Sequence, residues 1–390
     1  MRIRSLILKN WMNYQKLEIN ELQDLVFVIG PNACGKSNLL DALRFLRDVA
    51  LPAGVRPSGG GLQKAVGDRG GLSKLRCLNA KQDTEVLIEV NLEAPDSLKW
   101  KYRLGFKGEG KANNRIIVTR EEVEKDGVLI LERPDTLDKK DPERLTQTYL
   151  ELTTANENFR VLAHFFSETT YLHLVPQLLK FANLIGGNTI EQDPFGQGFL
   201  QRIAATGETT RNARLRRIEK ALDAVVPYFK ELRFKQDPVS GQPHIEANFA
   251  HWRLAGAWQR ESQFSDGTLR LIGLLWSLME GSSLLLIEEP ELSLNQEIVL
   301  HLPRLIQQMQ RKSKIPRQIF ITTHSEPLLS DLSISAEEVI RLEPAAGGTN
   351  VRKTDKQEKI MLASGLSVGA VLLRTIRPEK VAELQYSLSI

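Results

Sequence analysis

The sequence predicts an α/β protein with a parallel-sheet core, an antiparallel β lobe and a mostly helical insertion, and three observations carry that prediction. A continuous apolar run, Leu25 to Ile29, enters a glycine-containing turn and leaves it with helical spacing, the order of a strand buried on both faces followed by a helix. Toward the other end, apolar strands at Leu284 to Ile287 and Gln318 to Thr322 alternate with helical patterns at Leu269 to Met279 and Gln296 to Met309, as in doubly wound sheets. Between these regions, residues 134 to 230 are polar and helix-prone, punctuated by Pro142, Pro176 and Pro194.

The remaining elements follow in order. Arg2 to Leu8 reads as a strand. After Leu25 to Ile29 and its turn, Leu39, Leu40, Leu43 and Leu46 continue at helical spacing to about Val49, and Pro52 ends the pattern. Residues 53 to 71 carry seven glycines and are expected to lack regular structure. Thr84 to Leu92, Trp100 to Phe106 and Arg115 to Val123 read as an antiparallel meander, and strand signals return at Leu232 to Lys235 and His244 to Phe249. The chain thus divides into 1–133, an arm at 134–230, and 231–390.

A chain of 390 residues with 42% hydrophobic content can bury a sizeable core. The formal net charge of +4 does not indicate a nucleic-acid binder without a local basic patch. Two cysteines, Cys34 and Cys77, form neither a disulfide framework nor a metal-ligand pattern, which fits a reducing, cytoplasmic setting. The N-terminal apolar stretch is too short for a signal peptide and Leu271 to Met279 is too short to span a bilayer, so no membrane association is expected.

Four segments carry chemistry. Gly30-Pro-Asn32-Ala-Cys-Gly35-Lys36-Ser37 matches the phosphate-loop pattern, between a strand and a helix. Its glycines let backbone N–H groups, with Asn32 and Asn38 alongside, surround the phosphates of a nucleoside triphosphate. Lys36 reaches the β and γ phosphates, and the Ser37 hydroxyl ligates Mg²⁺. The apolar strand ending Glu288-Glu289-Pro290-Glu291 supplies Glu288 for the metal's hydration shell and Glu289 to polarise water. Ser265 and Asp266, in Phe264-Ser-Asp-Gly267-Thr-Leu-Arg270, can cap the apolar helix that follows. Finally, Gln318 to Thr323 ends on His324, a donor suited to a γ-phosphate.

This ordered set, GPNACGKS, FSDGTLR, LLLIEEPE and TTHS, resembles the ABC-type ATPase heads of the RecF, SMC and OLD-like AAA proteins, a P-loop NTPase fold. The resemblance covers roughly residues 1 to 130 and 230 to 345. It implies an enzyme that hydrolyses ATP with Mg²⁺ between two copies of the chain. Glu289 would be the catalytic base and His324 the switch histidine. Ser265 and Gly267 would contact the γ-phosphate bound by the second copy, and the Asn10 to Tyr14 turn would border the adenine. The Glu-Glu pair is more similar to the OLD and AAA15/AAA21 branch, whereas Leu292-Ser-Leu-Asn295 departs from that branch's Leu-His-Pro. A lid-loop glutamine is unassigned between Gln63 and Gln82. No Toprim-like pattern follows the head, so a nuclease or other effector partner would be a separate chain. DNA repair or defence against phage and plasmid DNA is the process implied. A slow ATP-bound switch that sequesters a toxic effector is the alternative.

Two side readings remain. Leu215, Ile218, Leu222, Val225, Phe229 and Leu232 form an apolar seam beside Arg211, Arg214, Arg216 and Arg217, either a solvated face or a contact for DNA or a partner. Pro227 limits that helix to about Val226. Cys34, beside Lys36 and a helix N-terminus, is expected to have a lowered thiol pKa, or to be only a small residue the loop tolerates.

Overall fold

The computed structural model describes residues 1–52, 59–80, 83–110, 115–181, 195–250, 257–313 and 316–376. The chain forms two compact units. The first comprises Met1–Thr170, Ser282–Leu286 and Ile315–Ile390, and the second Tyr171–Gly281 and Ile287–Lys314.

The chain opens with the hairpin β1 (Arg2–Trp11) and β2 (Tyr14–Ile19), then β3 (Leu25–Ile29), whose five residues are all buried. Helix α1 (Lys36–Ala50) follows, with Leu39, Leu40, Leu43, Leu46 and Val49 inside at the expected spacing. Two short helices come next, α2 (Leu62–Gly67) and α3 (Leu72–Leu75). They correct the expectation of irregular structure through residue 71. Leu62, Ala65, Val66, Leu72 and Leu75 are buried, and the glycines do not interrupt the turns but precede them, Gly61 and Gly71 entering at φ 98° and 87°, a region where a side chain would be strained.

The meander β4 (Val86–Glu93), β5 (Lys99–Glu109), β6 (Arg115–Lys125) and β7 (Val128–Arg133) alternates buried and outward residues along β4 to β6. Helices α4 (Thr136–Lys140) and α5 (Arg160–Ser167) follow, and then β8 (Thr170–Leu172). Arg133 explains why the stretch after β7 folds onto the first unit. Its guanidinium is wholly buried and pairs with Glu121 and Asp138, each at 2.9 Å. A buried charge survives only when so paired, and the pairing pulls residues 138 to 150 against β6.

In the second unit come α6 (Pro176–Lys180), α7 (Phe199–Ala205) and α8 (Glu208–Asp223), ahead of a three-stranded antiparallel sheet of β9 (Phe229–Gln236), β10 (Pro243–Phe249) and β11 (Ala257–Arg260). Helix α9 (Asp266–Met279) buries Leu269, Leu271, Ile272, Leu274, Leu275 and Trp276. Strand β12 (Leu285–Glu288) starts in the first unit, and α10 (Gln296–Lys312) lies in the second. The first unit closes with β13 (Ile319–Thr322), β14 (Val339–Ala345), β15 (Gly348–Arg352), α11 (Lys356–Ala363) and α12 (Val368–Leu372).

The expected lobe and core prove to be one sheet. Its order is β7-β6-β5-β4-β1-β2-β15-β14-β3-β13-β12-β8. Neighbours from β7 to β14 run antiparallel, and β3 then pairs in parallel with both β14 and β13. Phe45 of α1 stacks on Phe106 of β5 at 5.3 Å and meets Trp11 edge-on at 5.1 Å, so α1 packs on the antiparallel part as well. Among the described residues no helix is long and apolar enough to cross a membrane.

Candidate functional site

The phosphate loop leaves the carboxyl end of β3, between β14 and β13. That end of a parallel sheet is where α/β proteins take up ligands. Gly35 enters α1 at φ 97° with no side chain capping the helix, and no acidic residue lies in its first turn. The positive end of the helix dipole is therefore not offset by a carboxylate in the first turn. Lys36 is 7% exposed, and its ammonium donates to the carbonyls of Gly30 and Pro31 at 3.1 and 3.2 Å. Asn32 and Ser37 are exposed.

The loop is braced from behind by residues that the motif does not contain. Asn13 Nδ2 donates to the Cys34 carbonyl at 2.8 Å and to Thr349 Oγ1 at 2.7 Å, while Asn13 Oδ1 accepts from Asn38 Nδ2 at 2.8 Å. The Thr349 hydroxyl donates to the same Cys34 carbonyl at 2.8 Å, Tyr14 donates to Gly35 O at 2.7 Å, and Trp11 Nε1 to Asn38 O at 2.8 Å. The Asn10 to Tyr14 turn, read as an adenine border, thus presents Asn13 and Tyr14 to loop carbonyls, and the Asn38 amide is engaged by Asn13. Close approach explains the loop glycines. A Cβ on Gly35 would stand 2.2 Å from Asn13 Nδ2, and one on Gly30 2.6 Å from the Leu342 carbonyl.

His324 belongs to the same unit and the same sheet edge. Thr322 of β13 pairs with Val28 of β3, so two residues beyond each partner stand His324 and Gly30. His324 is exposed, and the turn beneath it is held by Ser325 N donating to Thr323 Oγ1 at 2.9 Å.

The second unit holds the acids Glu288, Glu289 and Glu291 and the segment Phe264 to Arg270. Glu289 takes φ 42°, a left-handed conformation uncommon for a side-chain-bearing residue, which turns it out of line with β12. The following loop makes tight turns, Leu292 N to Glu289 O at 3.2 Å and Leu294 N to Glu291 O at 3.1 Å. Asn295 then caps α10 by accepting from Glu297 N at 2.9 Å. Ser265 caps α9 as expected, its Oγ accepting from Thr268 N at 3.2 Å. Asp266 does not cap. Its carboxylate accepts from Lys180 Nζ at 2.7 Å and Gln177 Nε2 at 2.5 Å. Gly267 lies against the Ser293 carbonyl. Glu288 Oε2 is 3.5 Å from His173 Nδ1, a neighbour that no sequence pattern pointed to.

Three further expectations change. Gln63 donates to the carbonyls of Ile116 and Thr146 at 2.8 and 2.7 Å and accepts from Ile116 N at 3.1 Å, a tie between α2 and β6 that occupies its amide. Gln82 lies outside the described residues. The Cys34 thiol is 1% exposed, and burial raises its pKa despite Lys36. The dipole that lowers a thiol's pKa acts on an exposed sulfur, and here desolvation is the larger effect. On α8, Leu215, Ile218 and Leu222 are buried as the seam requires, but the arginines divide. Arg211 stacks over Phe234 at 4.1 Å and Arg214 over Trp276 at 5.1 Å, leaving Arg216 and Arg217 exposed.

A family model described as AAA domain, putative AbiEii toxin, type IV TA system matches residues 25–331. The DNA replication and repair protein RecF of Chlamydia caviae is 48% identical over 46 residues, 12% of each chain. The match therefore spans only about an eighth of that relative's length. An SMC head solved in complex with the C-terminal winged-helix domain of ScpA superposes with a TM-score of 0.58 at 16% identity, covering 92% of this chain and all of that one. An SMC head with an extended coiled coil, bound to the C-terminal domain of ScpA derived from Pyrococcus furiosus, gives 0.55 at 14% identity over 93% and 98%. At these identities the likeness is one of fold.

Proposed function

The chain belongs to the AAA-domain family whose model covers residues 25–331 and has the ABC-type fold of the SMC heads, and from that premise we propose that it binds and hydrolyses ATP. The observation that carries the reading is the uncapped start of α1, with the Lys36 ammonium folded over the loop carbonyls. An incoming triphosphate offers Lys36 stronger, charged acceptors than two carbonyls, and a helix start that no side chain caps favours an anion.

The donor set fits a hard divalent cation. Glu288 Oε1 is buried without a hydrogen-bond partner, and the Ser37 hydroxyl is exposed. In this reading Ser37 and Glu288 hold Mg²⁺, which when bound neutralises phosphate charge. Glu289 accepts a proton from the attacking water as it adds to the γ-phosphorus, the bond from that phosphorus to the β–γ bridging oxygen breaks, and ADP leaves with the electron pair on that oxygen. His324 donates to a γ-phosphate oxygen, and Asn32 lies along the phosphates.

Completion of the site by a second copy is part of the proposal. Ser265 and Gly267 at the start of α9 would meet the γ-phosphate held by the partner head, so that ATP closes a dimer and hydrolysis opens it. The relatives' names support a process. RecF is a replication and repair protein, which favours repair or defence acting on DNA. The family's description names a putative toxin of a toxin–antitoxin system, which favours a second reading, an ATP-dependent switch that holds an effector in check.

The test is ATP turnover and dimer formation in Glu289→Gln and Lys36→Ala. The proposal expects Glu289→Gln to lose turnover by roughly 10²-fold or more while accumulating ATP-bound dimers, and Lys36→Ala to lose binding. Unchanged turnover in Glu289→Gln would overturn hydrolysis at this site and leave the switch.

A further inference from the structure

We propose that His173 is a direct ligand of the divalent cation, beside Glu288, so that one imidazole joins the oxygen donors of the metal position proposed above. The proposal rests on the ATPase reading above and deepens it.

His173 follows β8 and Glu288 ends β12, two strands paired at the edge of the sheet. The His173 Nδ1 atom faces Glu288 Oε2 at 3.5 Å. That is too long for a charge-assisted hydrogen bond, which runs about 2.7–2.9 Å. Both His173 Nδ1 and Glu288 Oε1 are buried and lack a hydrogen-bond partner. Orphaned buried polar atoms are costly, and an imidazole and a carboxylate that meet here, each with one such atom, call for something that satisfies both. A water would sit in a strongly bent arrangement at this separation. A cation would not, because nitrogen and oxygen ligands at about 2.0–2.2 Å from one ion stand roughly 3.0–3.5 Å apart when they occupy neighbouring positions.

The imidazole is also held in place. Phe195 meets its ring edge-on, with centroids 5.9 Å apart and planes at 72°. Among the described residues no third histidine, cysteine or carboxylate completes a cluster. The remaining positions therefore fall to oxygens, those of the Ser37 hydroxyl proposed above, of water and of nucleotide phosphate, which is how nucleotide-associated cations are usually held. An imidazole nitrogen has a consequence for metal choice. It favours Mn²⁺ and later transition ions over Mg²⁺, which keeps to oxygen.

Electron spin-echo spectroscopy on Mn²⁺, bound to the full chain with a non-hydrolysable ATP analogue, tests this directly. The expected result is nuclear modulation from a directly bound nitrogen. It should change to the ¹⁵N pattern when only histidine is ¹⁵N-labelled, and disappear in both His173→Ala and His173→Gln. In those variants the affinity for Mn²⁺ with the analogue should fall by roughly tenfold or more, with a smaller change for Mg²⁺. Nucleotide-dependent Mn²⁺ binding without histidine modulation, or with modulation that survives in the variants, overturns the inference and leaves the ATPase reading standing. Absence of any nucleotide-dependent Mn²⁺ binding overturns both.

Discussion

A Cβ on Gly267 would lie 2.4 Å from the carbonyl oxygen of Ser293, so the first turn of α9 rests on the loop that leaves Glu289 with no side chain between them. That contact couples the segment proposed to reach a partner's phosphate with the segment proposed to activate water. Because the clash is with backbone, it cannot be relieved by a rotamer change, and Gly267→Ala is expected to displace the Leu292 to Asn295 loop. The expected cost is about 1–3 kcal/mol of stability, seen as a lower thermal midpoint, together with slower ATP turnover. A variant with wild-type melting and turnover would show that the two segments separate freely.

Asn13 is the second position where one side chain serves several partners. It donates to Cys34 O and Thr349 Oγ1 and accepts from Asn38. Asn13→Ala leaves those groups short of partners in a part-buried place, at about 1–3 kcal/mol for the buried ones. The phosphate loop should loosen, and ATP affinity measured by calorimetry should fall by roughly tenfold. Equal affinity in the variant would mean that Tyr14 and Thr349 suffice as braces.

The arginines of α8 should sort into two classes. Arg211→Ala and Arg214→Ala remove packing over Phe234 and Trp276 and are expected to lower stability by about 0.5–2 kcal/mol, with or without nucleic acid. Arg216→Ala and Arg217→Ala should leave melting unchanged. If α8 contacts DNA, only the second pair should reduce the salt dependence of binding, by about one unit of slope per charge.

Glu151 makes stability depend on pH in an unusual sense. Its carboxylate accepts from Thr148 N and Leu62 N, both at 2.8 Å, yet burial raises its pKa to about 7. The folded protein therefore holds a proton that the unfolded chain releases near the ordinary carboxylate value. Stability from this group is greatest below that value and declines as pH rises toward 7, by an amount on the order of 3 kcal/mol. Glu151→Gln cannot titrate, so the difference in stability between wild type and variant should shrink between pH 5 and pH 8 in denaturant titrations. A pH-independent difference would mean that Glu151 is ionised throughout.

The phosphate-loop part of the candidate site was legible in the sequence as backbone structure because its information is local. Gly30 to Ser37, the apolar run before them and the helical spacing after them are one continuous stretch, and a strand, turn and uncapped helix follow from backbone preferences of neighbours. The strand ending at Glu288, the Ser265 cap and the strand before His324 were readable for the same reason. Among the elements passed over, β2 and β7 are hairpin partners whose half-exposed sequences take meaning from the strand beside them.

What only the tertiary structure decided is which distant residues complete those local pieces. Thr349 bonds Cys34 across 315 positions, because the sheet order sets β15 between β2 and β14 rather than because of anything near either residue. His173 meets Glu288 through the pairing of β8 with β12, Arg211 and Arg214 turn inward onto Phe234 and Trp276, and burial raises the Cys34 thiol pKa that its neighbours in sequence were expected to lower. Local sequence specifies backbone state and chemical potential for a ligand. The partner that each side chain finds is set by strand order and close packing, which no short window contains.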